Sequence, residues 1–202
     1  MTRSVTGVTA PVTALGYPAA VTAMDPAAPY LIDYVETRPG GRIGLTPCPG
    51  SARFPSGREP WQRDIDADFD VIAAWGAAAV VTLVQAADLT WPTLNDLRSH
   101  TERRGMPWYH LPIRDGGVPA DEFEARWKDV GATLRGLLSG RRDVLVHCMG
   151  GLGRSGTIAA RLLVELGEDP PAAMQRVRAA RPGAIETAAQ EDYVLACRVV
   201  AR

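Results

Sequence analysis

The glycines at positions 150, 151 and 153, set between a β-branched run and a helical pattern, limit what this chain can fold into more than any other feature. Val144 to His147 reads as a short strand. Cys148, Met149, Gly150, Gly151, Leu152 and Gly153 form a tight loop, and Arg154 and Ser155 open a helix that the pattern carries through Ile158 to Leu166. A strand that passes through such a loop into a helix is half of a βα unit, with the loop at the carboxyl end of the strand. The glycines can take backbone conformations closed to other residues, so successive N–H groups can turn inward and form a cup for an anion. The helix that begins there points its positive dipole end into the same cup.

Two negative species suit such a place, the Cys148 thiolate and a bound phosphate. A cysteine at a helix N-terminus beside an arginine can have its pKa lowered from about 8.5 to roughly 3.5–7.5, which makes Cys148 a candidate nucleophile. Arg154 offers a planar fork that matches two phosphate oxygens in a way lysine cannot. Ser155 is placed to donate a hydrogen bond to the sulfur when it leaves. His147 reads as a group that fixes loop shape, because a thiolate already formed needs no base. Two plainer readings stand beside this one: an ordinary phosphate-binding turn, and a cysteine that is only core. Walker-type nucleotide binding lacks its Gly-Lys-Ser/Thr ending, and the Arg154-Ser155 pair suits phosphate better than a sulfurtransferase loop.

Asp115 lies in Ile113-Arg114-Asp115-Gly116-Gly117-Val118-Pro119, a loop at the end of a strand, where α/β enzymes place chemistry. Moving a phosphoryl group from oxygen to sulfur expels an alkoxide or phenoxide, and a carboxylic acid beside it removes most of that cost. The resulting carboxylate can then take a proton from the attacking water. Asp-Gly is also an ordinary turn dipeptide. Arg114 is either a substrate-facing cation or a surface charge.

His147-Cys148-x5-Arg154-Ser155 resembles the signature of the cysteine-dependent protein tyrosine and dual-specificity phosphatases. The likeness extends to the cyclin-dependent-kinase-associated branch through Gly44 to Thr46 with Pro49 and Gly50, Pro112 to Gly117, the loop itself, and Ala184-Ile185-x-Thr187-x-x-Gln190. It implies a phosphatase acting through a phosphocysteine. Cys148 would be nucleophile, Met149 to Arg154 the phosphate cradle, and Asp115 the general acid. Gln190 would help to place the hydrolytic water. Glu186 departs from the glutamine associated with that branch. Kinase binding is not carried over to this chain.

The remaining pattern fits one α/β domain, with a mostly parallel central sheet of about five strands and helices on both faces. Expected strands are Tyr30 to Val35, Arg42 to Leu45, Ala78 to Val84 and Met106 to Leu111. Ala78 to Val84 is apolar throughout, as a strand covered on both faces must be. Expected helices are Asp66 to Trp75, Thr93 to Arg104, Asp121 to Leu138, Pro170 to Ala180, and a last one containing Gln190 and running to Val200. Residues 51 to 63 read as a loop, residues 1–29 as a loosely ordered arm or an extra edge segment, and 30–202 as the phosphatase domain. His100 is expected in solvent, and His110 in solvent or capping a strand end. Arg176, Arg178 and Arg181 are expected on a wet helix face open to an acidic partner.

At 202 residues, with 46% apolar and 22% charged content, the chain can bury a substantial core. The formal net charge of −1 gives no basic field for nucleic acid or a membrane surface. The cysteines, Cys48, Cys148 and Cys197, are odd in number and far apart, which is no disulfide framework, and a working thiolate suits a reducing cytoplasm. Cys48 is read as a loop or core residue, or as a redox partner of Cys148. No His, Cys, Asp and Glu grouping has metal-ligand spacing, so neither metal nor cofactor is expected. The loop carries no lysine, which ranks phosphoinositides below a phosphorylated protein or peptide as substrate. The rival functions are an enzyme for a small phosphorylated metabolite, nucleotide or RNA end, and a poorly active phosphate-binding adaptor.

Overall fold

Side-chain caps start three of the helices, and the sheet orders the elements around it. The computed structural model describes residues 29–53 and 61–200. The expected arm therefore lies outside the described residues, apart from its last position, as does the middle of the expected loop at 51 to 63. In chain order the elements are β1 (Asp33–Glu36), β2 (Arg42–Thr46), β3 (Ala52–Arg53), β4 (Trp61–Gln62), α1 (Ile65–Trp75), β5 (Ala77–Thr82), α2 (Leu94–Arg103), β6 (Trp108–His110), α3 (Asp121–Ser139), β7 (Asp143–His147), α4 (Gly153–Glu165), α5 (Pro170–Ala180) and α6 (Ala188–Ala196). A 3-10 turn, Ala86–Asp88, follows β5.

Five strands form one sheet in the order β1-β2-β7-β5-β6, antiparallel between β1 and β2 and parallel elsewhere. The strand that ends at the glycine loop is thus central, with β2 and β5 on its two sides. β3 and β4 pair separately, so the expected loop at 51 to 63 carries a short antiparallel ladder. The helices form two sets. α1 and α2 pack on each other and on β5 and β6, whereas α3, α4, α5 and α6 pack together over β7, β2 and β1, which covers both faces.

Capping sets the helix boundaries. Asp64 accepts from the N–H groups of Asp66 and Ala67 at the start of α1, and Gly76, at φ +89°, ends it in the left-handed conformation that glycine adopts without cost. Thr93 and Asp96 form a capping box on α2, as Thr187 and Gln190 do on α6. The last helix stops at Ala196, short of the expected Val200. β1 begins at Asp33, later than the expected Tyr30. Every residue of β5 is buried, as its unbroken apolar run requires.

α4 is buried along its whole length, including Arg154, Ser155, Arg161 and Glu165. Buried charge is costly unless paired, and Arg161 is held by Glu124, Glu165 and Tyr193, on α3, α4 and α6. His100 is not in solvent: it is 8% exposed, stacked on Phe69 with ring centroids 5.5 Å apart, and 3.0 Å from Asp66. Its charged neighbours on α2 suggested a wet face, but α1 packs over that face.

Candidate active site

β7 delivers its carboxyl end, and Cys148 with it, to the middle of the sheet edge. Three hydrogen bonds in series stiffen that end. Trp108 Nε1 donates to Thr82 Oγ1 at 2.8 Å, and Thr82 Oγ1 lies 2.8 Å from His147 Nε2. The Cys148 carbonyl, 3.4 Å from Nδ1, can only accept, so the neutral ring carries its hydrogen on Nδ1 and the Thr82 hydroxyl donates to Nε2. His147 is fully buried, and burial lowers its pKa to about 4, so the ring is neutral at pH 7. The neutral ring fixes the strand end and the start of the loop.

The loop carbonyls are tied outward. Met149 O accepts from Cys48 N at 3.1 Å, Gly150 O and Gly151 O accept from the Arg181 guanidinium at 3.0 and 2.5 Å, and Leu152 O accepts from Gly156 N at 2.8 Å. Among the described residues, no acceptor takes the N–H groups of Met149, Gly150, Gly151 or Leu152. Such a set of unpaired donors is an oxyanion cradle. Gly151 is required twice over: its φ is +68°, and a Cβ there would lie 2.3 Å from Thr46 O.

Arg154 closes the ring from the first turn of α4. Its Nη1 donates to Asp88 Oδ2 at 2.5 Å and to Ile113 O at 3.1 Å, and its Nη2 lies 2.9 Å from Asp115 Oδ1. Burial alone would pull the arginine pKa down. The Asp88 bond and the negative groups at Cys148 and Asp115 outweigh it and raise the pKa. Asp88 also accepts from Gln85 N at 3.0 Å, so its carboxylate is fixed before it meets the guanidinium. Asp115 differs in kind, with its side chain 81% exposed on a loop that turns at Gly116, φ +67°.

Cys148, the 149–153 loop, Arg154 and Asp115 therefore converge. Ser155 is buried beside them, and its Oγ has no hydrogen-bond partner among the described residues, the sulfur included. Arg114 is exposed beside them. Gln190 is buried, its Oε1 accepts from the N–H groups of Glu186 and Thr187 at 2.9 and 3.4 Å, and its Nε2 donates to Gly117 O at 3.1 Å. It clamps the Asp115 loop to α6. His110 Nε2 lies 2.9 Å from Val84 O, at the strand end. Cys48 and Cys148 are both free thiols, and burial raises the Cys48 pKa.

The protein tyrosine phosphatase family model for the DSP-PTPase phosphatase domain, described as a Swiss Army Knife protein, matches residues 62–194. The chain belongs to this family. It is 32% identical over 155 residues to cyclin-dependent kinase inhibitor 3 of Rattus norvegicus, an alignment covering 75% of this chain and 69% of the relative. Its fold matches a crystal structure of kinase associated phosphatase in which the catalytic-site cysteine is replaced by serine. The TM-score is 0.70 at 28% identity, covering 83% of this chain and 93% of that one. Tk-PTP in the active form matches with a TM-score of 0.58 at 29% identity, over 77% of this chain and 90% of that one. The chain is thus a phosphoric monoester hydrolase of the protein tyrosine and dual-specificity type.

In this phosphatase, several site residues have no mark in the sequence that points to their place. Asp88 follows an apolar strand without a motif around it. Arg178 and Arg181 share the helical spacing of a wet face, yet Arg178 donates to the carbonyls of Ala184 and Ile185, and Arg181 ties the loop to Asp33. Arg176 likewise pairs with Glu168. None of these arginines is available as a free cation for an acidic partner.

Proposed function

We propose that this phosphatase hydrolyses phosphoproteins by double displacement at Cys148, without a metal ion, in a reducing cytoplasm. The observation that carries this reading is the placement of Arg154, buried, held on one edge by Asp88, paired with Asp115 on the other, and near enough to Cys148 for their charges to interact. Cys148 sulfur attacks phosphorus, and the Arg154 fork with the unpaired amides of Met149 to Leu152 holds the equatorial oxygens. Asp115, in its acid form, gives its proton to the departing oxygen. Water then attacks phosphorus and the sulfur leaves with its electron pair. The Asp115 carboxylate takes the proton, and Ser155 donates its hydrogen bond to the sulfur.

Asp115 is exposed and meets Arg154 where a substrate phosphate would sit. A phosphate arriving there displaces the exposed Asp115 side chain toward the leaving oxygen, while Thr187 and Gln190 hold the backbone at Gly116 and Gly117. The guanidinium and amides neutralise the phosphoryl charge, which leaves no role for a cation. Phosphoprotein is favoured over a polyphosphorylated headgroup because the loop itself carries no lysine or arginine before Arg154.

The test compares phosphotyrosine and phosphothreonine peptides with phosphorylated metabolites, nucleotides and RNA ends, using wild-type enzyme and the Asp115→Ala variant as a trap. Phosphopeptides are expected to be turned over fastest and to be retained by the variant. Faster turnover of a metabolite would replace the substrate assignment. Cys148→Ser is expected to abolish turnover while still binding phosphate.

A further inference from the structure

The turn between α5 and α6 sets one carboxylate on the rim of the glycine loop. Ile185 holds φ of +61°, a left-handed conformation that a β-branched residue rarely adopts. Its neighbours keep it there: the Arg178 guanidinium donates to the carbonyls of Ala184 and Ile185 at 3.1 and 2.9 Å, and the side chain is buried against Gly156. The next residue, Glu186, is thereby fixed against the loop. A Cβ on Gly153 would collide with its Oε2, and the Gly153 amide donates to its carboxyl.

Two charged groups act on that carboxyl, Asp115 and Arg154. Arg154 is already engaged on both of its outer nitrogens, Nη1 by Asp88 and Nη2 by Asp115. Its charge therefore does little for Glu186: burial, foremost, and the Asp115 charge raise the Glu186 pKa against the pull of the Gly153 amide and of Arg154. Among the described residues, no basic side chain makes an ion pair with Glu186, and Arg178, which shapes the turn, pairs with Glu191. Residue 186 is nonetheless exposed on its outer side, where a group on a bound substrate can reach it.

A carboxylate without a cation, set beside the place a phosphate must occupy, weakens the binding of any substrate that brings only negative charge. A glutamine would accept the same bond from the Gly153 amide without that cost. The charge is an asset only where the substrate brings a cation of its own. We propose that Glu186 is a specificity-determining residue, which selects phosphopeptides with a lysine or arginine next to the phosphorylated residue and disfavours those with acidic neighbours. This deepens the phosphoprotein reading and rests on it. The basic side chain pairs with the Glu186 carboxylate at the rim while the phosphate fills the loop beside Arg154, so opposite charges on the substrate meet opposite charges on the enzyme. An acidic neighbour meets the same carboxylate as a like charge, and the two effects add in the ratio between substrates.

The experiment measures kcat/KM at pH 7 on wild type, Glu186→Gln and Glu186→Lys. The substrates are phosphotyrosine and phosphothreonine peptides that differ only in the residues flanking the phosphorylated one: lysine, glutamine or glutamate. Wild type is expected to favour the lysine peptide over the glutamate peptide by about three- to tenfold at low salt, and by less at high salt, where exposed charges are screened. Glu186→Gln keeps the bond to Gly153 and is expected to bring that ratio close to one, and Glu186→Lys to invert it. A residue that only shapes the loop would lower the rates on all the peptides together and leave the ratio as it is in wild type. An unchanged ratio in both variants, or a wild type with no preference for lysine, overturns the inference while the phosphoprotein reading stands. A wild type that turns over none of the peptides overturns both.

Discussion

Removing the Asp88 carboxylate strips Arg154 Nη1 of its ion-pair partner and, among the described residues, leaves that nitrogen with Ile113 O. A charge-assisted bond of this kind is worth about 1.5–3 kcal/mol. Asp88→Ala is therefore expected to lower kcat/KM on an aryl phosphate by roughly ten- to a hundredfold. An unchanged kcat/KM would show that Arg154 needs no such holder. His147 makes a prediction about pH. Its pKa falls from 6.5 in the unfolded chain to about 4 in the fold, so between those values the unfolded chain binds the extra proton. The stability that His147 contributes is fully present above pH 6.5 and is lost as pH falls toward 4, by up to about 1.4 kcal/mol per pH unit. Urea midpoints measured across that window should fall less steeply in His147→Asn than in wild type. Equal slopes would mean that the ring is not buried neutral.

At the scale of elements, Arg161 joins the helices that matter. From α4 it bonds both oxygens of Glu124 on α3, Glu165 one turn along α4, and Tyr193 on α6, while its guanidinium lies 4.6 Å from the Trp127 ring centroid. Arg161→Ala leaves Glu165 with Arg135 and Trp127 and the partly exposed Glu124 with Tyr193, so it is expected to cost the charge-assisted bonds and packing it removes, about 1.5–3 kcal/mol. The exposed i,i+4 pair Arg98–Glu102 on α2 is a fair control, and its loss in Arg98→Ala should cost about 0.5 kcal/mol or less. Chemical denaturation of the two variants tests the contrast, and similar losses would contradict it. What the sequence makes legible follows the same division. The β7–loop–α4 unit can be read because strand, glycines and helix are contiguous. The positions of Asp88 and Arg181 cannot, since each meets the loop only after distant segments have assembled. Gln190 was legible as a residue near the site, but its bond to Gly117 was not, because Gly117 lies on the far side of α3 to α5 in the chain. His100 was misread for a related reason: local charge was visible, and the covering Phe69 was not.

For the whole molecule, the account is that two faces of helices hold one sheet edge rigid enough to keep a sulfur, a guanidinium and a ring of amides in register. Chemistry built only from these groups should persist in excess chelator and stop on alkylation of Cys148, and a chelator that abolished turnover would contradict it. Those tests bear on the surroundings of the reaction. The most direct measurement is acid quench of the enzyme during turnover of an aryl phosphate, followed by mass analysis of the peptide that spans β7 and the loop. One phosphoryl group on Cys148, appearing and decaying in step with product release and absent from Cys148→Ser, is the result the account predicts. A phosphoryl group on another residue, or turnover with none at any time point, would contradict it.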